Sequence, residues 1–276
     1  MGKLDNKVAI VSGSGRGIGR EIALKLATEG ARVVVNDMDG EPAAETIAAI
    51  EALGGKAVGC VGSVTEDGFG ERFVQTAVDS FGGLDIIVNN AGYTWDSVIQ
   101  KMTDDQWDAI LDVHLKAPFH ILRAAQPVIS AQVKQAKEAG EAVPCRKVVN
   151  ISSIAGLGGN AGQVNYAAAK AGIVGLTKTL AKEWGRYNVT VNAVAFGLIK
   201  TRLTEAPADG QATIKVADKE IKVGVNPALL GAMEQMIPLG RAGTAAEGAG
   251  AVYLLCSPES DYVSAQTLIC GGGFFI

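Results

Sequence analysis

The stretch Lys7-Val-Ala-Ile-Val-Ser-Gly-Ser-Gly-Arg-Gly-Ile-Gly19 decides the fold. Lys7 to Ser12 is a short apolar run of the kind that forms a strand buried on both faces. Gly13 to Gly19 then turns the chain. A helix follows from about Gly17 to Glu29, with Ile22, Leu24 and Leu26 apolar. A strand, a Gly-rich turn and a helix N-terminus aim free N–H groups at one place, where the helix dipole favours an anion. The spacing is Gly-x-x-x-Gly-x-Gly rather than the plain Gly-x-Gly-x-x-Gly. It predicts a dinucleotide site at Gly13, Arg16, Gly17, Ile18 and Gly19.

Working outward, Arg32 to Asn36 reads as the second strand, and Asp37 ends it. An acid about twenty residues beyond the glycines suits an adenosine ribose diol. A carboxylate there repels a 2′-phosphate, so Asp37 favours NAD over NADP. Arg16 argues the other way, since it could pair with that phosphate. Helices at about Pro42 to Leu53 and Glu66 to Phe81 alternate with strands at Lys56 to Cys60 and Leu84 to Val88. This alternation predicts an α/β fold with a parallel sheet covered on both faces. Asn89-Asn90-Ala91-Gly92 places small and amide side chains at the fourth strand's end, suited to a cofactor lying against the backbone.

A second stretch carries the chemistry. Lys147 to Ile151 is a β-branched strand ending at Ser152 and Ser153. The link Gly156 to Gly162 is too Gly-rich for a regular element. A helix from about Asn165 to Arg186 then puts Tyr166 and Lys170 on one face, one turn apart. A free phenol has a pKa of about 10. A cation about 4 Å away favours phenolate by roughly 4 kcal/mol at an effective dielectric near 20. Burial opposes this. The expectation is a phenol drawn towards neutrality, able to exchange a proton with a carbonyl or alcohol oxygen that Ser153 also holds.

Thr103 to about Glu138 predicts one long helix, opened by a capping box at Thr103-Asp-Asp-Gln106 and bent at Pro118 and Pro127. Trp107, Leu111, His114, Leu115 and Leu122 form its apolar stripe. Val189 to Ala195 is the sixth strand. Residues 202–238 form the predicted substrate lid. Thr213 to Val216 and Glu220 to Val223 read there as a hairpin around Ala217-Asp218-Lys219, and Pro227 to Met236 as a short apolar helix. Lys215, Lys219 and Lys222 could meet phosphates of an acyl carrier, or simply form a solvated edge. A helix at Ala245 to Cys256 and a strand at Thr267 to Cys270 close a single domain over residues 1–276. The tail Phe274-Phe275-Ile276 is too apolar to stay in water and should pack.

Bulk composition narrows the function. The formal charge of -4 and the hydrophobic content of 48% favour neither a nucleic-acid nor a membrane partner. Four cysteines without Cys-x-x-Cys spacing read as reduced thiols of a cytoplasmic protein. His114 and His120, six apart, are poorly spaced as metal ligands, and no metal site is expected.

These motifs, in this order and spacing, resemble the short-chain dehydrogenase/reductases. The residues are Ser12-Gly13-x-x-x-Gly17-x-Gly19, Asn89-Asn90-Ala91-Gly92, Ser153 thirteen before Tyr166, and Tyr166-x-x-x-Lys170. The resemblance implies a Rossmann-type doubly wound sheet of about seven strands and a dimer or tetramer. It implies Tyr166 as acid/base, Ser153 holding the substrate oxygen, and Lys170 tuning Tyr166 and holding the nicotinamide ribose. Asn90, Ala91 and Gly92 would line the cofactor, as would Ser63 and Val64; Ile199 and Thr201 would hold its carboxamide. Three positions depart from the pattern. His114 stands for the usual Asn of a catalytic tetrad, Ser63 for an Asp at the adenine, and Phe196 for a Pro before the lid. His114 could relay protons from Lys170 or be a satisfied core group. The expected activity is NAD-dependent interconversion of a secondary alcohol and a ketone. The resemblance points first to a 3-hydroxyacyl/3-oxoacyl thioester of coenzyme A or acyl carrier protein. A hydroxysteroid or other bulky cyclic alcohol is the alternative. A non-catalytic, cofactor-binding partner subunit is a reading of another class.

Overall fold

A computed structural model describes residues 2–201, 212–216, 219–223 and 227–274. The strands are β1 (Val8–Val11), β2 (Arg32–Val35), β3 (Lys56–Gly59), β4 (Ile86–Asn89), β5 (Arg146–Ser153), β6 (Val189–Phe196), β7 (Ala212–Val216), β8 (Lys219–Val223) and β9 (Thr267–Cys270). Seven of them form one parallel sheet in the order β3-β2-β1-β4-β5-β6-β9. The connections run one way from β1 and then cross to β4. The strand order therefore reverses between β1 and β4, and a crevice opens at their carboxyl ends.

The helices are α1 (Gly17–Thr28), α2 (Gly40–Ala52), α3 (Phe69–Phe81), α4 (Asp104–Leu111), α5 (Ala117–Glu138), α6 (Ala155–Gly158), α7 (Val164–Trp184), α8 (Pro227–Met236) and α9 (Ala245–Cys256). Side chains alternate along β1. Ala9 and Val11 join Ile22 and Leu26 of α1, Ile50 of α2 and Val252 of α9 in one core layer. Val8 and Ile10 join Phe69 and Phe73 of α3 and Ile121 and Ile129 of α5 in the other. Burying one such side chain contributes roughly 1.5–3 kcal/mol. A one-residue slip would exchange the two faces, so the register is strongly set.

The long helix differs from its expectation. The capping box is present: Thr103 Oγ1 accepts from the Gln106 N–H, and Gln106 Oε1 accepts from the Thr103 N–H. Between α4 and α5, however, Asp112–Lys116 is a π-helical turn. Pro118 lies just beyond it and cannot donate to the His114 carbonyl in the ordinary i→i−4 pattern. The wider turn accommodates that missing donor.

The Gly-rich link is not wholly irregular, since Ala155–Gly158 closes one helical turn. The hairpin is present but shifted. Lys219 pairs with Val216 inside the ladder instead of sitting in the turn. The side chains of Lys215, Lys219 and Lys222 lie outside the described residues. So do Phe275 and Ile276, while Phe274 packs with Leu198, Met233, Ile237 and Ala242. No helix among the described residues is long and apolar enough to cross a membrane.

Candidate active site

The crevice begins with the glycines after β1. Gly13 and Gly17 hold φ of +61° and +56°, the left-handed region that glycine tolerates best. A Cβ on Gly19 would overlap the Gly13 carbonyl, and one on Gly15 would stand 2.5 Å from Asp37 Oδ2. The turn is therefore folded tightly against both its own helix and the end of β2. Arg16, at the N-cap of α1, is extended and makes no side-chain cap bond. The first-turn N–H groups thus keep the anion-binding character predicted for them.

Buried polar side chains brace this turn. Asn36 Oδ1 accepts from the Gly13 N–H at 3.0 Å, and its amide donates to the carbonyls of Cys60 and Gly62. Ser12 Oγ accepts from the N–H groups of Asn90 and Ala91, both at 3.0 Å. Asn90 Nδ2 donates to the Ser12 and Gly13 carbonyls. Asn90 therefore ties the ends of β1 and β4 together. The bracing roles of Asn36 and Ser12 have one signal in the sequence, a polar residue at the end of an otherwise apolar strand.

The other predicted cofactor residues follow the carboxyl ends of β2, β3 and β6 or lie in α1. Asp37 Oδ1 accepts from the Asp39 N–H, and Asp39 pairs with Arg16 at 2.9 Å. Val64 is buried in the core. Beside it, the Ser63 hydroxyl bonds Thr65 at 2.8 Å and its N–H donates to Glu66. Ile18 packs on the α1 core layer. Ile199 is buried and bridges Gly243, and Thr201 lies about 4 Å from where a Gly17 Cβ would stand. A glycine cradle, an uncapped helix N-terminus and a carboxylate at the end of β2 fit a dinucleotide.

At the far side of the crevice, β5 and α7 are locked together. Ser152 Oγ donates to the Lys170 carbonyl at 2.8 Å, and Lys170 Nζ donates to the Ile151 carbonyl at 2.7 Å. A Cβ on Gly156 would lie 2.6 Å from the Lys170 backbone, so α6 must carry glycine there. This packing sets Ser153 close enough to the Tyr166 hydroxyl to oppose the upward push of burial on the phenol. The Lys170 ammonium is 5.6 Å from the centre of the Tyr166 ring.

The electrostatics differ from the expectation. Burial pushes the Tyr166 phenol up to about 12, opposed by the Ser153 hydrogen bond and aided by the charge of Asp96. Burial also draws Lys170 down to about 7. The phenol is not drawn towards neutrality, because the ammonium is itself desolvated and bonded to Ile151. Loss of water outweighs attraction at both groups.

His114 is brought to the same place by the π-turn. Its ring meets Tyr166 edge to face, with centroids 5.1 Å apart. Nε2 lies 2.7 Å from the Tyr93 carbonyl. A carbonyl only accepts, so Nε2 carries the proton and Nδ1 of the neutral ring is an acceptor. Nδ1 is buried and without a partner among the described residues. Burial, and then the charge of Lys170, hold His114 well below the ordinary histidine range. A Cβ on Gly92 would overlap this ring, so His114 in this position requires glycine at 92. Phe196, the third departure, packs its ring under Gly248, and its carbonyl accepts from Ser153 Oγ at 3.4 Å.

The short chain dehydrogenase family pattern matches residues 7–212. The chain belongs to the short chain dehydrogenase family. It is 36% identical over 274 residues to the 3-oxoacyl-[acyl-carrier-protein] reductase FabG of Thermotoga maritima, covering 99% of this chain and 100% of that one. The FabG of Vibrio cholerae is 37% identical over 273 residues, covering 99% of each. The 3-oxoacyl-[acyl-carrier-protein] reductase of Synechocystis is 37% identical over 275 residues, covering 99% of this chain and 98% of its own. As a short chain dehydrogenase, this protein is an oxidoreductase that works with a nicotinamide cofactor on an alcohol or ketone. Ser153 lies at the end of β5, and Tyr166 and Lys170 in the first turns of α7 that pack on it.

Proposed function

We propose that this protein is a 3-oxoacyl thioester reductase that uses NAD in preference to NADP. The observation that carries the reading is the meeting of Ser153, Tyr166 and Lys170 beside the crevice at the ends of β1 and β4. Near-full-length similarity to 3-oxoacyl carrier-protein reductases supports the substrate class, a thioester of acyl carrier protein or coenzyme A.

When bound, the nicotinamide supplies the hydride. Tyr166 gives its proton to the ketone oxygen, and Ser153 holds that oxygen by a hydrogen bond. A phenol raised to about 12 is protonated at neutral pH, which suits the reductive direction. Lys170, drawn to about 7, exchanges a proton in the working range and replaces the one Tyr166 gave up. The acceptor Nδ1 of His114 steadies the charged form of Lys170 through a water, in the manner of a relay.

Asp37 holds the adenosine ribose diol. Arg16 is already engaged by Asp39, which weakens its claim on a 2′-phosphate. Residues 1–276 act as one domain with 202–238 as the lid. The half-exposed Trp107 and Phe119 and the open strip Ala168, Ala171 and Gly175 support a homo-oligomer, dimer or tetramer. Four free cysteines fit a cytoplasmic setting.

The test is a panel of 3-oxoacyl thioesters and cyclic ketones, steroids included, with each reduced nicotinamide. Turnover should be highest with thioesters and with NADH. Turnover confined to cyclic ketones would replace the substrate reading. Cofactor binding without any turnover would make the chain a non-catalytic subunit.

A further inference from the structure

The loop 197–201 leaves β6 and meets the glycine turn, where Thr201 Cγ2 lies 3.9 Å from the place a Gly17 Cβ would take. Residue 243 holds this loop on one side. The Lys200 N–H donates to the Gly243 carbonyl at 2.8 Å, and the Gly243 N–H donates to the Leu198 carbonyl at 2.9 Å. A Cβ on Gly243 would stand 2.6 Å from Ile199 Cδ1, so the two segments approach as closely as glycine permits.

On the other side stands the carboxyl end of α8. Ile237, just beyond it, is buried and packs with Leu198, Ala242 and Met233. Three residues earlier, Glu234 Oε1 pairs with Lys200 Nζ at 3.0 Å and accepts from the Ala242 N–H at 3.4 Å. A carboxylate in the last turn of a helix opposes the helix dipole. The stability of α8 therefore does not account for Glu234, whereas the cation across the gap does. The Glu234 and Lys200 side chains are 27% and 45% exposed, so their pair adds little to folding. Its effect is to join two segments of different role, the lid helix and the loop that touches the glycine turn.

We propose that Glu234 is a positioning residue: paired with Lys200, it ties α8 to the loop 197–201 and slows the departure of the bound dinucleotide. The inference rests on the oxidoreductase reading, since it needs a nucleotide in the crevice at the ends of β1 and β4. Glu234 acts through Lys200 and its neighbours Ile199 and Thr201, without touching the cofactor itself.

The test follows binding and release of whichever reduced nicotinamide wild type holds more tightly, by its fluorescence, without substrate and at low ionic strength. It compares wild type, Glu234→Gln, Lys200→Met and the double variant. Gln keeps an acceptor for the Ala242 N–H and removes only the charge. Each single variant should raise the dissociation rate and Kd about two- to fivefold, the range of an exposed ion pair. The double variant should lose no more than either single one. The difference from wild type should shrink in about 1 M salt. Melting temperature without cofactor should move by no more than about 3 °C. A merely structural role for Glu234 would lower the melting temperature and leave cofactor release unchanged. Unchanged release in whichever variant folds overturns the assignment, as do additive losses in the double variant. A wild type that binds neither reduced nicotinamide overturns the cofactor reading, and the tether with it.

Discussion

The backbone of Gly92 and the ring of His114 occupy adjoining space with no room for a methyl group between them. The contact joins the end of β4 to the π-turn that carries His114. It also explains why the β4 end carries glycine at position 92. Gly92→Ala should push the ring from the Tyr93 carbonyl and from Tyr166. A loss of about 1–3 kcal/mol in stability is expected for such overpacking, with a lower kcat. In a His114→Asn background the same substitution should be much milder. A double-mutant cycle on melting temperature and kcat checks this coupling; additive effects would show that the two residues act apart.

Lys170 makes stability depend on pH in a stated direction. Its ammonium is 3% exposed and titrates near 7 in the fold, against 10.5 for the unperturbed group. Below about pH 7 both folded and unfolded chains carry the charge, and the burial penalty is complete. Between about 7 and 10.5 the unfolded chain binds the extra proton, so stability rises with pH. Relative to Lys170→Met, wild type should gain on the order of 2 kcal/mol from about pH 7 to about pH 9. Parallel denaturation curves for the two proteins at these pH values measure it. A constant difference would mean that Lys170 keeps an ordinary pKa.

The cofactor preference turns on Asp37. Its carboxylate lies against Gly15 at the end of β2. Asp37→Ser should remove the repulsion felt by a 2′-phosphate and raise the NADP-to-NAD ratio of kcat/KM by roughly tenfold or more. Adding Asp39→Asn should raise the ratio further, because Arg16 loses its partner. Steady-state kinetics with both cofactors decide. A wild type that already prefers NADP would show that Arg16, not Asp37, governs the site.

Much of this was legible in the sequence, for physical reasons. The seven parallel strands could be read because strands buried on both faces are short apolar runs that stand out between helical periods. Ser153, Tyr166 and Lys170 could be placed together because a strand end and an i,i+4 pair fix their relative positions. Other features depend on contacts between distant segments. The π-turn needs Pro118 and the packing of His114 together. The braces Asn36 and Ser12 are visible only once β1, β2 and β4 lie side by side. The pKa values of Tyr166 and Lys170 went against the expectation because spacing along a helix measures proximity and not the water that folding removes.

The most direct test is to make Tyr166→Phe and follow oxidation of NADH by a 3-oxoacyl thioester while measuring cofactor affinity separately. General acid catalysis of this kind is worth about 10²–10⁴-fold. The rate should fall by that factor while NADH still binds, since the crevice at β1 and β4 is untouched. A Tyr166→Phe variant that turns over at close to the wild-type rate would contradict the assignment of Tyr166 as the proton donor, and with it the mechanism built on it.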